Sequence, residues 1–236
     1  MPIFERFVRY EWAEYALQRA IKRESPYMMN DWLVGQGLGR ESAHRTTHTL
    51  TWLWLPKSTP CAALQAEALE IFPVLTSEEH LALHWGMALC VFPSFHETIQ
   101  IIGRLLRLQG EFRKSEVISR ALERYGNQST LKRAVERIIQ TLCDWNVLKS
   151  EANLYRATPL RLVTRPVLSV WLYCCLMSRN LEHYWQIADL IRAPELFPFE
   201  VQHPLRLFHN DSHFTVHRDA SGDEIVGLTG FTDRCD

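Results

Sequence analysis

Residues 129–157 read STLKRAVERIIQTLCDWNVLKSEANLYRA, and this stretch decides the fold of the centre of the chain. Its first half repeats apolar side chains at helical spacing, which predicts an amphipathic helix. The apolar positions are Leu131, Val135, Ile138 and Leu142. The opposite face carries Lys132, Arg133, Glu136, Arg137 and Gln140. We therefore expect a helix that packs one face on the protein and exposes a long polar, mostly basic face.

The second half of this stretch predicts a β-hairpin. Asn146 tolerates the left-handed backbone conformation that often ends a helix. Residues 147–149 and 154–157 then form two short apolar-containing runs around a polar turn, which is typical of two strands. Lys149 and Arg156 lie in these strands and are placed to reach an anionic partner.

Two further helices are predicted before this stretch. Residues 95–108 have an apolar stripe at helical spacing, and Gly110 ends that helix. The second helix starts near Ser115, a good N-cap residue, and runs to residue 125. The turn at residues 126–129 follows, in which Ser129 caps the third helix.

Three helices followed by a hairpin resemble the winged helix-turn-helix superfamily, over about 65 of the 236 residues. The resemblance implies that the third helix enters the major groove of duplex DNA and that the hairpin flanks it. Glu136 departs from this pattern because its charge repels phosphate, although a glutamate can accept a hydrogen bond from cytosine. By position, the expected DNA-binding residues are Lys114, Ser129, Thr130, Lys132, Arg133, Arg137, Gln140, Lys149 and Arg156.

The charge is unevenly distributed along the chain, although the formal net charge is only −1. Residues 104–165 contain thirteen Lys and Arg against six Asp and Glu, a net charge of +7. Residues 194–236 contain eight acids and three arginines, a net charge of −5. This asymmetry indicates one basic surface suited to an anionic partner and one acidic end.

The whole chain is predicted to be mainly α with a small β component, in three parts: an N-terminal helical domain (1–92), a winged helix-turn-helix domain (93–164) and a C-terminal domain with one helix and a short antiparallel β-meander (165–236). In the first part, the pattern predicts one helix from residue 4 onward and a buried helix at 80–92 that Pro93 ends. In the last part, it predicts a buried helix at 166–177 and strands at 205–208, 214–217 and 224–228. The five tryptophans of the first part (Trp12, Trp32, Trp52, Trp54 and Trp85) are expected in the core.

The six cysteines show no metal-binding or disulfide spacing, and most lie in apolar runs. We expect reduced thiols and a cytoplasmic location, with no membrane association. The longest apolar run, at residues 166–177, is shorter than the roughly 20 residues that a spanning helix needs.

Histidine clusters are the other candidate sites. His80 and His84 have a chelating spacing, as do His44 and His48, but neither pair has the inner glutamate of a metalloprotease helix or an evident third ligand. His209, Asp211 and His213 alternate, so a hairpin would place them on one face. A polar turn explains the same residues, and whether they bind a metal stays open.

No nucleotide-binding loop or nucleophile motif is present, and we expect neither catalysis nor a cofactor. The sequence favours a non-enzymatic protein that binds double-stranded DNA, as a regulator or as a subunit of a larger system. The alternative is an assembly subunit whose winged helix contacts protein. In either case the N- and C-terminal regions are expected to bind a protein partner or a second copy of the chain.

Overall fold

The computed structural model describes residues 3–55, 61–125 and 129–229, with residues 125 and 129 described by their backbone alone. About 61 % of the described residues are helical and 13 % lie in strands, which confirms a mainly α protein with a small β component. The α-helices of these residues are α1 (Tyr10–Ile21), α2 (Tyr27–Gly35), α3 (Arg40–Trp54), α4 (Cys61–Ile71), α5 (His80–Val91), α6 (Pro93–Gln109), α7 (Lys114–Tyr125), α8 (Ser129–Asp144), α9 (Pro166–Met177), α10 (Ile187–Ile191) and α11 (Pro204–Asn210). The strands are β1 (Glu111–Arg113), β2 (Leu148–Glu151), β3 (Leu154–Ala157), β4 (Arg161–Val163), β5 (Trp185–Gln186), β6 (Phe199–Val201), β7 (Phe214–Arg218) and β8 (Glu224–Leu228).

Helix α5 is the centre of the core, and every residue from 81 to 91 is buried. It packs against α3, α4, α6 and α9. This agrees with the predicted buried helix, because a helix that is apolar all round must be covered on all sides. Helix α5 ends at Val91, and Pro93 is the first residue of the next helix, α6. Proline is well suited to this position because the first N–H of a helix has no partner within the helix.

A buried polar network crosses this core at His84. The His84 Nδ1 accepts a hydrogen bond from Trp54 Nε1 (3.2 Å), and its Nε2 lies 2.9 Å from a carboxylate oxygen of Glu14. His80 contacts the same carboxylate at 3.2 Å. Burial lowers the pKa of His84, so the ring is neutral near pH 7. The carboxylate and the indole therefore satisfy both ring nitrogens, as a buried imidazole requires.

The first helix begins later than predicted. Residues 4–9 are not helical, and α1 starts at Tyr10. The backbone N–H of Phe4 donates to Ser94 Oγ (2.9 Å), and that of Val8 donates to Thr141 Oγ1 (3.0 Å). The prediction was wrong because these long-range partners replace the hydrogen bonds that a helix would make.

Three small sheets accompany the helices of the described residues. The strand orders are β1-β3-β2 and β5-β8-β7, both antiparallel, and a parallel pair β4-β6. The predicted strand at residues 205–208 is wrong, because this segment lies in α11. Pro204 is the first residue of that helix, and Phe208 is buried against Tyr173 and Phe214. Of the three strands predicted for the meander, two are present, as β7 and β8.

The expectation that all cysteines are reduced is also wrong. Cys61 at the start of α4 and Cys90 near the end of α5 form a disulfide, with a Cα–Cα distance of 6.0 Å. Their sequence separation of 29 gave no signal, because the pairing depends on how the two helices pack. Cys174 and Cys175 are buried free thiols, and burial raises the pKa of both. Reduced thiols therefore no longer support a cytoplasmic location, and that location stays a prediction.

Buried side chains from all three predicted domains belong to one continuous hydrophobic cluster, and the domain boundaries stay a prediction. Trp12, Trp54 and Trp85 are buried in it, while Trp32 and Trp52 are half-buried and packed against it. Among the described residues, no helix combines the length and the apolar character needed to cross a bilayer.

Helix α6 approaches the backbone of Pro194 closely at Gly103. A Cβ at this position would clash with the carbonyl oxygen and carbon of Pro194. We expect Gly103→Ala to lower the free energy of unfolding by about 1–3 kcal/mol, because a backbone carbonyl cannot move aside as a flexible side chain can. Urea unfolding measures the change. Gly35→Ala is the matched control, since a Cβ there meets nothing within 4 Å. Equal stability of the two variants would contradict the close approach.

Acid should destabilise the protein through His84. Unfolding exposes the ring, which then titrates near its ordinary pKa of about 6.5, whereas burial keeps the folded-state pKa lower. Below about pH 6.5 the unfolded state therefore binds a proton that the folded state does not, and the free energy of unfolding falls with pH.

The measurement is urea unfolding at pH 7.5, 6.5 and 5.5, comparing the wild type with His84→Gln. A shallower pH dependence in the variant is expected, and identical slopes would contradict this role. Burial raises the pKa of Glu14, but the hydrogen bonds and charges of His84 and His80 outweigh it and lower that pKa. The contribution of Glu14 is consequently lost only at lower pH, below its ordinary value of about 4.3.

Candidate nucleic-acid interface

Helix α8 has the amphipathic orientation that its sequence predicts. Val135, Ile138 and Leu142 are fully buried, and Leu131 is half-buried against the core. The buried face packs on α6 and α7. The opposite face is therefore directed away from the protein, and it carries the basic residues.

Three cations among the predicted DNA-binding residues are exposed and form no ion pair with any described residue: Lys132, Arg133 and Lys149. Thr130 and Gln140 are also exposed. Arg137 is half-buried, and its guanidinium donates to Gln140 Oε1 at 2.8 Å, which orients the two side chains together. The backbone of Ser129 begins α8, while its side chain and the predicted turn at residues 126–128 lie outside the described residues.

The carboxylate of Glu136, which departs from the expected basic pattern, has a cationic neighbour. The Lys114 ammonium at the start of α7 lies 3.9 Å from it. An exposed pair of this kind stabilises the fold by little, about 0–1 kcal/mol. Its local effect is to offset the negative charge in the middle of the exposed face of α8. Lys114 therefore contributes to the charge of this face by partly neutralising Glu136.

The β2–β3 hairpin is joined to the helices by β1, a strand that the sequence did not predict because it has only three residues. Phe112 of β1 is buried and stacks on Tyr155 of β3, with ring centroids 5.3 Å apart. Ala152 and Asn153 both have positive φ in the hairpin turn, as a tight two-residue hairpin requires. The hairpin is therefore fixed beside α8, which β2 contacts.

The two predicted hairpin cations differ in their environment. Lys149 and Arg156 are directly opposite each other on β2 and β3, an unfavourable like-charge pair. Arg156 is neutralised by Glu111 on the neighbouring strand (2.5 Å) and lies 3.7 Å from Glu151. Lys149 is therefore the cation of the hairpin that is available to an anion, and Arg156 must first leave Glu111.

Two arginines from the N-terminal region extend this basic surface. The backbone N–H of Tyr10 donates to Asp144 Oδ1 (2.7 Å) and, with the Val8–Thr141 bond, holds residues 8–10 against the last turn of α8. Partial burial lowers the pKa of the Arg6 guanidinium, and the positive charges of Arg137 and Arg45 lower it further. The charges of Arg6 and Arg137 are close enough to repel each other, although 131 residues separate the two arginines in sequence. No local pattern could have predicted the cluster.

The histidine candidates bind carboxylates of the chain. His209 Nε2 lies 3.3 Å from Glu224, whereas His213 Nδ1 lies 2.6 Å from Asp211. His209 therefore contacts a different carboxylate from His213. His48 Nε2 accepts a hydrogen bond from Trp52 Nε1 (3.2 Å). Over residues 3–55, 61–125 and 129–229, no group of three or more potential ligands is arranged to hold a metal ion.

We call the set Arg6, Arg45, Lys132, Arg133, Arg137 and Lys149 the basic surface. Arg45 is the one member with an ion pair within the described chain, to Glu41 at 2.5 Å. The charges of Glu5 and Glu41 act on Arg6 and partly neutralise the N-terminal part of this set, whereas Lys132, Arg133 and Lys149 form no ion pair with a described residue. A cluster of cations attracts a polyanion. Comparison of the chain with models of protein families, with characterised proteins and with solved structures finds no match.

Proposed function

We propose that residues 93–164 form a winged helix-turn-helix and that this module binds duplex DNA. The observation that carries the proposal is the arrangement of its elements. Helices α6, α7 and α8 are followed by the β2–β3 hairpin, and β1 pairs with that hairpin in the order β1-β3-β2. A small helical unit with a flanking hairpin is the arrangement of that superfamily, which supports the assignment of α8 as the recognition helix.

The charge distribution supports DNA rather than a neutral partner. Lys132 and Arg133 lie on the exposed face of α8 with no ion pair among the described residues, and Lys149 is equally available on the hairpin. Each cation that contacts a phosphate releases counterions from the duplex, which provides affinity without regard to sequence. Arg133, Arg137 and Gln140 have the long side chains that reach base edges in the major groove.

The N-terminal arginines enlarge the proposed footprint. Arg6 and Arg45 belong to the same electrostatic cluster as Arg137, so a duplex seated on α8 would pass close to both. Their mutual repulsion is relieved when a phosphate lies between them. In this proposal they bind the backbone, and base selection remains with α8.

A second function, docking to a protein, is favoured by the exposed apolar side chains of α2. Tyr27 is 85 % exposed and Met28 is 53 % exposed, and Val34 at the other end of the helix is also exposed. Such side chains on one short helix suit a protein contact. This surface belongs to the N-terminal region, so the docking function is compatible with DNA binding by α8.

The experiment that tests DNA binding is fluorescence anisotropy of a random-sequence duplex, titrated with the full chain at several salt concentrations. We expect a log–log salt slope of about −0.9 for each phosphate neutralised. Reversing Arg133 and Arg137 (R133E and R137E together) should reduce the slope by about 2 and weaken binding at least tenfold, because two contacts become repulsive.

The control is the double reversal R192E and R218E, which changes the net charge equally on arginines outside the basic surface. Binding by this control should stay close to wild type. If R133E/R137E binds as the control does, α8 is not the recognition helix. If the wild type does not bind at about 50 mM salt, the docking function replaces the proposal.

Arg6→Ala with Arg45→Ala should weaken binding of every duplex by a similar factor. The salt slope should fall by about 2, since two phosphate contacts are lost while the base contacts of α8 remain. The measurement is the same titration on several unrelated duplex sequences. An unchanged slope would limit the interface to the central module, whatever the result for α8.

A further inference from the structure

A cleft of about 840 Å³ lies between α4, α11 and the start of α9, and none of the basic-surface residues lines it. Its volume is within the range of pockets that hold small organic ligands. Part of its lining is apolar and comes from Ala66 on α4, Val170 on α9 and Leu207 on α11. The cleft therefore offers both a hydrophobic surface and polar groups.

The two helical walls of the cleft carry opposite charge. Helix α4 contributes Glu67 and Glu70 as its charged residues, whereas α11 contributes Arg206, and His203 precedes that helix. Among the described residues neither Glu70 nor Arg206 forms an ion pair. An anionic and a cationic group thus line one cleft without neutralising each other.

One part of the lining is internally paired. His213 Nδ1 lies 2.6 Å from Asp211, and His213 Nε2 lies 3.7 Å from Glu67, so the imidazole bridges the two carboxylates. The backbone N–H of His213 also donates to Asp211 Oδ1 (3.0 Å). These contacts connect the turn between α11 and β7 to α4. Glu70 and Arg206 remain the charges that a ligand can neutralise.

We infer that this cleft binds a small organic zwitterion, with an ammonium group toward Glu70 on α4, a carboxylate toward Arg206 on α11 and an apolar body on Val170 and Leu207. A carboxylate can bond a guanidinium in bidentate fashion, and an ammonium can donate to a carboxylate. A simple cation would leave Arg206 without a partner, and a simple anion would face the glutamates of α4. A ligand with both charges satisfies both walls.

Isothermal titration of the full chain with ε-aminocaproate, γ-aminobutyrate and L-leucine tests the inference, with hexylamine and caproate as single-charge controls. At least one zwitterion should bind with a Kd of about 1 mM or tighter. Both controls should bind at least tenfold more weakly, since each leaves one wall unpaired.

The variants Glu70→Gln and Arg206→Gln should each weaken zwitterion binding about tenfold or more. Both side chains are exposed, so neither change threatens the fold. Arg218→Gln, an arginine 74 % exposed outside the cleft, should leave the Kd unchanged. The inference fails if no zwitterion binds, if hexylamine or caproate binds as tightly as the best zwitterion, or if the cleft variants behave as Arg218→Gln does. DNA binding is measured separately, and neither result depends on the other.

Discussion

The structure depends on covering α5 completely, which requires a partner for the one imidazole buried deep within it. The His84 ring bonds the indole of Trp54 on α3 and the carboxylate of Glu14 on α1. An unpartnered polar group at this depth would cost about 1–3 kcal/mol. Both partners come from the N-terminal helices, so these must close over α5 in one orientation. The polar contacts thus specify a geometry that apolar packing alone leaves less defined.

That orientation also determines which side chains surround α8. Once α1 is seated on α5, the residues before it lie against the last turn of α8, and the Trp145 Nε1 donates to the carbonyl of Val8 at 3.0 Å. Arg6 consequently lies within electrostatic reach of Arg137. The basic surface is therefore composite, formed from two parts of the chain that meet only in the folded protein. A central module without the N-terminal region would lose Arg6, Arg45 and the hydrogen bonds that Val8 and Tyr10 make to α8.

Local patterns predicted the elements better than their partners. The three central helices, the hairpin and the buried helices α5 and α9 follow from apolar periodicity and from turn residues such as Gly110 and Asn146, both at positive φ. Patterns failed where a distant group decided the outcome: the non-helical segment before Tyr10, the Cys61–Cys90 disulfide and the helix α11. Within the candidate site, position along α8 indicated the exposed cations. The pairing of Arg156 with Glu111 needed a strand too short to recognise.

The N-terminal segment also constrains how the chain can fold as it is synthesised. Two of its hydrogen-bond partners, Thr141 and Asp144, are more than 130 residues downstream. At the usual speed of translation, these partners emerge roughly 10 s later. Phe4 can pack on Phe92 and Phe95 before then, but the N–H groups of Val8 and Tyr10 lack their partners until α8 has been synthesised. Docking of the segment onto α8 is therefore a late, long-range step, whose loop-closure entropy slows folding more than it lowers final stability.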